Sequence, residues 1–224
     1  MDQTTQDYIA RCDRLNEDEK AKLLRIAQSM PFVADISRSD AILYARCDDQ
    51  NAVVVAQARP HSIMPVYSHS LIGYRIDREQ DAAVFRAMRW GRRERGSRRL
   101  IAGGAPVIQE LWPVKSASGR IIGALNIEAN LIAYVRQKSR SKVFQRAVRI
   151  VQRMLLRDEL VGVERLSPFS QHDGILVVDR QRITRYASGI ATDHYRKLGY
   201  LDSLVDRHLS SFETGDYEMF RRVF

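Results

Sequence analysis

A chain of 224 residues, 45% hydrophobic and 28% charged, carries enough apolar material for one large core or two small ones, and its composition excludes disordered and fibrous classes. Cys12 and Cys47 are the only cysteines, which argues against a disulfide scaffold or a four-ligand zinc site; each reads as a small buried hydrophobe or a free thiol. No apolar run approaches the ~20 residues of a membrane-spanning helix, and "MDQTTQDYIA" lacks a basic start followed by an apolar stretch, so a cytoplasmic protein is expected.

The net charge of +9 is segregated. Residues 1–50 hold ten acids and seven bases, whereas residues 86–160 hold seventeen bases and five acids. The densest stretch, "RWGRRERGSRR" from Arg89 to Arg99, packs six arginines and one Glu into eleven residues. An anionic ligand, a nucleic acid, and a solvated loop facing acidic groups are its three readings.

In chain order, Thr5 to Met30 shows apolar residues at helical spacing, with Asn16 capping a new helix ahead of Glu17, Asp18 and Glu19, and Pro31 ending it. "DAILYARCDD" and "NAVVVAQARP" predict a β-hairpin. "DREQDAAVFRAMRW" predicts a helix with Asp77 as its cap, and the arginine-rich stretch follows it as a loop. "APVIQELWPVK" and "GRIIGALNIEAN" predict two strands around "SASGR", with Pro113 marking an edge position or a bulge. Leu131 to Leu160 predicts one long helix, in which Val143, Ala147, Ile150 and Met154 form one apolar stripe and Phe144, Val148, Val151 and Leu155 a second beside it. After the linker "VGVERLSPFSQ", two strands are expected at Ile175–Val178 and Ile183–Tyr186, then a helical region, then a terminal helix in "DYEMFRRVF".

Chemical fingerprints are sparse. His61 and His69 lie eight apart, which matches no usual zinc spacing; no G-x-S-x-G elbow is present; and "GGAP", Gly103 to Pro106, lacks the Lys and Ser/Thr of a phosphate loop and reads as a turn. The residues thus assign no catalytic group, no metal site and no cofactor.

The hairpin, the helix and "VIQELWPVKSASGRIIGALNIE" resemble a GAF domain, whose closing strands return as G-x-[IV]-[IV]-G-x-[LI]-x-[LI]. "DGILVVDRQRITRYAS" with "HYRKLGY" resembles the start of a PAS domain. In that order the two look like the sensor half of soluble bacterial histidine kinases, many of which signal to RNA-binding antiterminator response regulators. The resemblance implies an α+β fold: a GAF-like antiparallel sheet flanked by helices, a long connecting helix, then a PAS α/β domain. The divisions are 1–30, an N-terminal helical segment; 31–133, the GAF-like domain; 134–165, the connecting helix; and 166–224, the N-terminal part of PAS. The asparagine that usually follows the first PAS strand pair is missing near Ser188 and Gly189, and nothing resembles a phosphoacceptor helix or ATP-binding glycine boxes.

It further implies a GAF pocket, bounded by Asp40, Tyr44, Arg46, Arg59, Tyr74, Trp90, Arg92, Arg93 and Trp112, for an unknown and possibly anionic small molecule. Guanidinium groups bind oxyanions bidentately, and the tryptophans offer stacking surfaces. Implied partners are a second copy, met through the Val143, Ala147, Ile150 and Met154 stripe, and a response regulator reached through a kinase core outside this chain. A basic nucleic-acid-binding regulator is the alternative, but no nucleic-acid-binding motif accompanies the charge.

Overall fold

The computed structural model describes residues 3–46, 48, 50–98, 106–138 and 141–212. Its centre is a six-stranded antiparallel sheet made of β1 (Asp40–Arg46), β2 (Asn51–Ala58), β3 (Arg75–Asp77), β4 (Glu94–Arg98), β5 (Val107–Lys115) and β6 (Ile121–Asn130), in the order β3-β2-β1-β6-β5-β4. First and last strands meet in the middle, Asp40–Ala45 running against Glu128–Gly123. At this seam a Cβ on Gly123 would lie 2.1 Å from the Tyr44 carbonyl oxygen, so only glycine fits.

Alternation along the strands sorts the core into two layers. Ala41, Leu43, Ala45, Val53, Val55, Leu125 and Ile127 point to one face. There they meet Leu23, Ile26 and Met30 of α2 (Glu17–Ser37), Ile9 of α1 (Gln3–Ala10) and Leu155 of α5 (Lys142–Arg157). Ile42, Tyr44, Val54, Leu111 and Ala124 point the other way, to Val84, Phe85 and Met88 of α3 (Ala82–Trp90) and to Tyr67 from the 59–74 connection. Because both faces are covered, the buried residues of β1 and β6 are apolar on both sides, broken only by Asp40, Asn126 and Glu128 on the α3 face.

Several expected boundaries move. Asn16 does cap α2, in a reciprocal capping box with Glu19. Pro31 does not end the helix, which runs to Ser37 and carries the proline inside it, so the division expected after residue 30 falls within a helix. An interior proline costs about 3 kcal/mol, but Met30, Val33 and Ala34 on the same segment are fully buried against the sheet, and their burial outweighs the lost hydrogen bond. Asp81, rather than Asp77, caps α3 by accepting the Val84 N–H (3.4 Å); Asp77 instead holds the preceding turn through the Glu79 and Gln80 amides, 2.9 Å each.

The arginine-rich stretch is only briefly a loop. Gly91 ends α3 in the left-handed region, and from Glu94 the chain forms the edge strand β4. β4 begins at Glu94, opposite Leu111, so at Pro113 β5 has a single neighbour, and the missing N–H is tolerated there.

The expected long helix is two helices, α4 (Leu131–Lys138) and α5, because Ser141 leaves helical geometry and its hydroxyl caps α5 at the Val143 N–H (3.2 Å). Inside α5, Phe144, Val148, Gln152 and Leu155 turn inward. Beyond the linker, β7 (Leu176–Val178) and β8 (Thr184–Ala187) form a hairpin, followed by α6 (Gly189–Lys197). Tyr195, Leu204, Leu209 and Phe212 give this C-terminal unit its own small core. Cys12 is buried; Cys47, residues 103–105 of the "GGAP" turn and the helix expected in "DYEMFRRVF" lie outside the described residues.

The N-terminus of α2 is tied to the β5–β6 turn by one ion pair. Arg120 meets both carboxylate oxygens of Glu19, its Nε 2.9 Å from Oε1, and also donates to the Arg14 carbonyl at 2.9 Å. The Glu19 side chain is 4% exposed, so the guanidinium is its main compensation and holds its carboxyl below the usual range. Arg120→Ala, which strands the buried Glu19 carboxylate, is expected to lower the urea midpoint with an unchanged dependence on denaturant; a midpoint equal to that of the native sequence would contradict this role.

Candidate functional site

Beneath α3 the register lines up polar side chains that the strands would otherwise hide. Asp40, Glu128 and Gln109 stand directly opposite one another on β1, β6 and β5, all buried on the α3 face. Glu128 is fully buried and accepts from the Tyr67 hydroxyl (2.6 Å), Asn126 Nδ2 (2.7 Å) and Gln109 Nε2 (2.9 Å). Gln109 Nε2 also donates to Asp81, the α3 cap, at 3.1 Å. One network therefore fixes α3 and the 59–74 connection to the sheet. Among the described residues no group of three or more His, Cys, Asp or Glu side chains is placed to hold a metal ion.

Asp40 is the stressed member of this row. The Val66 N–H donates to its Oδ2 (2.7 Å), while Oδ1 makes no well-formed hydrogen bond. Burial pushes its carboxyl up to about 6, and the Glu128 carboxylate across the strand adds to the shift; the Val66 amide and the Arg59 guanidinium oppose it. Because the folded value lies above the usual 3.8, Asp40's contribution to stability is complete below about pH 4 and is lost as pH rises to about 6. Asp40→Asn is expected to flatten stability across that window and to raise it at pH 7 by on the order of 2 kcal/mol. Urea unfolding from pH 4 to 7 checks this; an unchanged pH slope would contradict it.

The arginine-rich segment is divided by the same alternation. Glu94 of β4 faces α3, with Arg86 at 3.6 Å and Arg92 at 3.9 Å. Arg93 and Arg95 face the other way. Arg93 pairs with Glu110 (2.7 Å) and lies 4.5 Å over the Trp112 ring, and Arg95 lies 4.8 Å over Tyr134 of α4. These two arginines border a cavity of about 210 Å³ whose floor is β5–β6 and whose roof is α4 and α5, from which Tyr134, Arg149 and Gln152 also line it. Gln152 is 4% exposed; its Nε2 donates to Ser37 Oγ (3.2 Å), and its Oε1 has no partner among the described residues.

The candidate residues are not gathered around one cavity. Asp40 and Tyr44 are buried under α3, where Arg59 acts on Asp40 through its charge. Tyr74 and Trp90 are 60% and 50% exposed, and Arg92 covers the Trp90 ring at 5.0 Å. Arg46 borders a cleft with Arg14 and Arg120. Arg93 and Trp112 lie on the opposite face of the sheet, and of the nine only Arg93 lines the 210 Å³ cavity. Sequence reasoning passed over Gln109, Asn126 and Glu128, although polar residues spaced by two inside apolar strands are a visible signal of a buried network. It also passed over Gln152, the one polar residue on the inward stripe of α5.

A further junction holds the two parts of the chain together. Asp35 of α2, itself buried, accepts the His61 N–H (2.7 Å) and the Phe169 N–H (3.1 Å), and His61 Nδ1 lies 3.1 Å from both oxygens. Phe169 also meets Phe32 edge-on, centroids 6.2 Å apart. The inter-unit linker and the start of the 59–74 connection thus share one carboxylate.

Among the described residues no helix is long and apolar enough to cross a membrane. Comparison with curated proteins gives no significant match. Among solved structures, one described as the sensor region of a sensor histidine kinase is 20% identical, with 98% of this chain and 79% of that one aligned at a TM-score of 0.68, which establishes a shared fold. An IcIR transcriptional regulator from Alicyclobacillus acidocaldarius (14% identical, 68% of this chain and 71% of that one, TM-score 0.42) and Pseudomonas aeruginosa HmgR (14%, 70% and 72%, TM-score 0.42) are more distant. Residues 6–148 match the family described as the GAF domain of histidine kinase PdtaS. With that match covering more than half of the chain, from α1 into α5, the protein belongs to the PdtaS histidine kinase GAF family and carries its GAF-like α+β fold.

Proposed function

We propose that this chain is the sensory and regulatory region of a cytoplasmic two-component histidine kinase, passing a signal from its GAF domain to a kinase core outside these 224 residues and so to a response regulator. Family membership over residues 6–148 carries the reading. The packing of α5 supplies a route. α5 buries Leu155 in the sensor core and places Phe144 against Tyr186 of β8, centroids 5.2 Å apart, so a shift of this helix moves both units.

The hairpin β7–β8 followed by α6 supports reading residues 166 onward as the start of a PAS domain. A small molecule acting on the GAF domain would bias α5 between two seats, and only a ligand that binds the two differently can do so.

The outward side of α5 supports a homodimer. Val143 and Ile150 are each 39% exposed, with Ala147 and Met154 half-buried beside them, on the side turned away from Phe144 and Val148. A second copy is the occupant that an apolar stripe of this spacing fits, since two such helices bury it against each other. Arg146 and Arg153 beside the stripe would splay outward across the pair. Nucleic acid is the poorer partner, because Arg92 and Arg93 already meet Glu94 and Glu110.

Ile150→Glu is expected to convert a dimer of this chain to monomer at micromolar concentration in sedimentation equilibrium, and to reduce ATP-dependent, acid-labile phosphorylation of the kinase-bearing protein. An Ile150→Glu variant that stays dimeric would remove this interface, and a kinase-bearing protein without acid-labile phosphate would remove the kinase reading.

A further inference from the structure

We propose that the cavity between β5–β6 and α5 is a binding site for a compact organic oxyanion, a small carboxylate or phosphate, and that its occupancy sets the seat of α5. The proposal rests on the sensor reading above for its purpose, but not for its chemistry.

Three observations converge. First, charge: Arg93, Arg95 and Arg149 line the cavity against one carboxylate, Glu110, leaving the site cationic even with the Arg93–Glu110 pair formed. Second, an unmet polar group: the Gln152 side chain is 96% buried, yet one end of its amide finds no partner, and the residue lines the cavity. A buried polar atom left alone is destabilising, and since Gln152 Oε1 is closed off from water as well as unpartnered, a ligand recovers that loss by drawing the amide toward the cavity. The two ends of the amide exchange roles on a flip, so the group offers a ligand either an acceptor or, with Ser37 then donating to Oε1, an N–H donor. Third, size: at about 210 Å³ the cavity exceeds the ~150 Å³ that holds a benzene ring, so it has room for the head and a short chain of a compact anion.

The wall chemistry divides the ligand into two ends. Ile108, Ile127 and Val148 supply an apolar floor and roof for a carbon chain, while the arginines and Gln152 receive the charged head. Arg93 is held ready by the Trp112 face, and Arg95 by Tyr134, so little side-chain freedom is lost on binding. The same ligand touches the sheet below and Arg149 and Gln152 of α5 above. It therefore presses on the helix that carries both the outward apolar stripe and the contact with the C-terminal unit.

The site lies on the α2–α5 face of the sheet, away from the Asp40–Glu128 row, so the two respond to different variants.

The test is calorimetric titration of this chain with inorganic phosphate, succinate and the neutral succinamide. Saturable binding of at least one anion, and none of succinamide, is expected. Arg95→Gln and Gln152→Leu should each weaken it by roughly tenfold. Glu110→Gln removes the competing carboxylate and should tighten binding several-fold, a gain that a merely damaged fold cannot produce. No saturable binding by any probe, or binding indifferent to all three variants, as an adventitious surface ion would give, overturns the site. Because titration needs no kinase activity, that failure is distinct from failure of the sensor reading, which the acid-labile phosphate decides.

Discussion

The apolar underside of β1 and β6 must be kept from water, and the need to cover it organises the molecule. α2 covers one part with Leu23, Ile26 and Met30, and α5 adds Leu155 from the far end of the sensor region. Burying a side chain of this size stabilises by roughly 1.5–3 kcal/mol. This is enough to carry Pro31 through the middle of α2 and to bring α5 back over the sheet after the break at Ser141. The rest depends on that return: the cavity exists because α5 arches over β5–β6, and the C-terminal unit is placed because Phe144 of α5 ends against Tyr186.

The two faces of the sheet differ in how much open volume lies beside their polar groups. Under α3 a polar network ties the layer together: Glu128 has three donors, and Asp81 serves both as helix cap and as a link to Gln109, while Asp40 Oδ1 and Asn126 Oδ1 find no partner among the described residues. Its paired members hold one another in place. Under α5 the difference is space: Gln152 is half-satisfied and cationic side chains stand beside open volume. A face with open volume is the one whose geometry a small ligand can change. Asp35, shared between His61 and Phe169, links the two faces at the linker end.

Much of the fold is legible in the sequence because its elements carry local signals. Asn16 with Glu19, the turn "SASGR" and the β1–β2 hairpin come out where their turn and capping chemistry places them. Pro31 and the arginine stretch mislead because tertiary packing overrides local preference: a proline survives inside a helix pinned by buried neighbours, and a charged run becomes an edge strand once β5 offers a partner. The site was harder. Which side of the sheet a residue takes depends on register, so Arg93 and Trp112, near in sequence to Arg92 and Leu111, stand on the face opposite to Asp40. Glu128 and Gln109 become neighbours only when β6 and β5 pair.

If α5 is the shared element through which the sensor domain and the C-terminal unit act on one another, loosening its inner face must be felt in both. Phe144→Ala removes the ring buried between them. Native-state hydrogen exchange on this variant should show faster exchange in α5 and also in β7 and β8, while the amides of β1 and β6 keep their protection. Faster exchange confined to α5, with Leu176–Val178 and Thr184–Ala187 unchanged, would show that the two units are joined in sequence but not coupled through this helix.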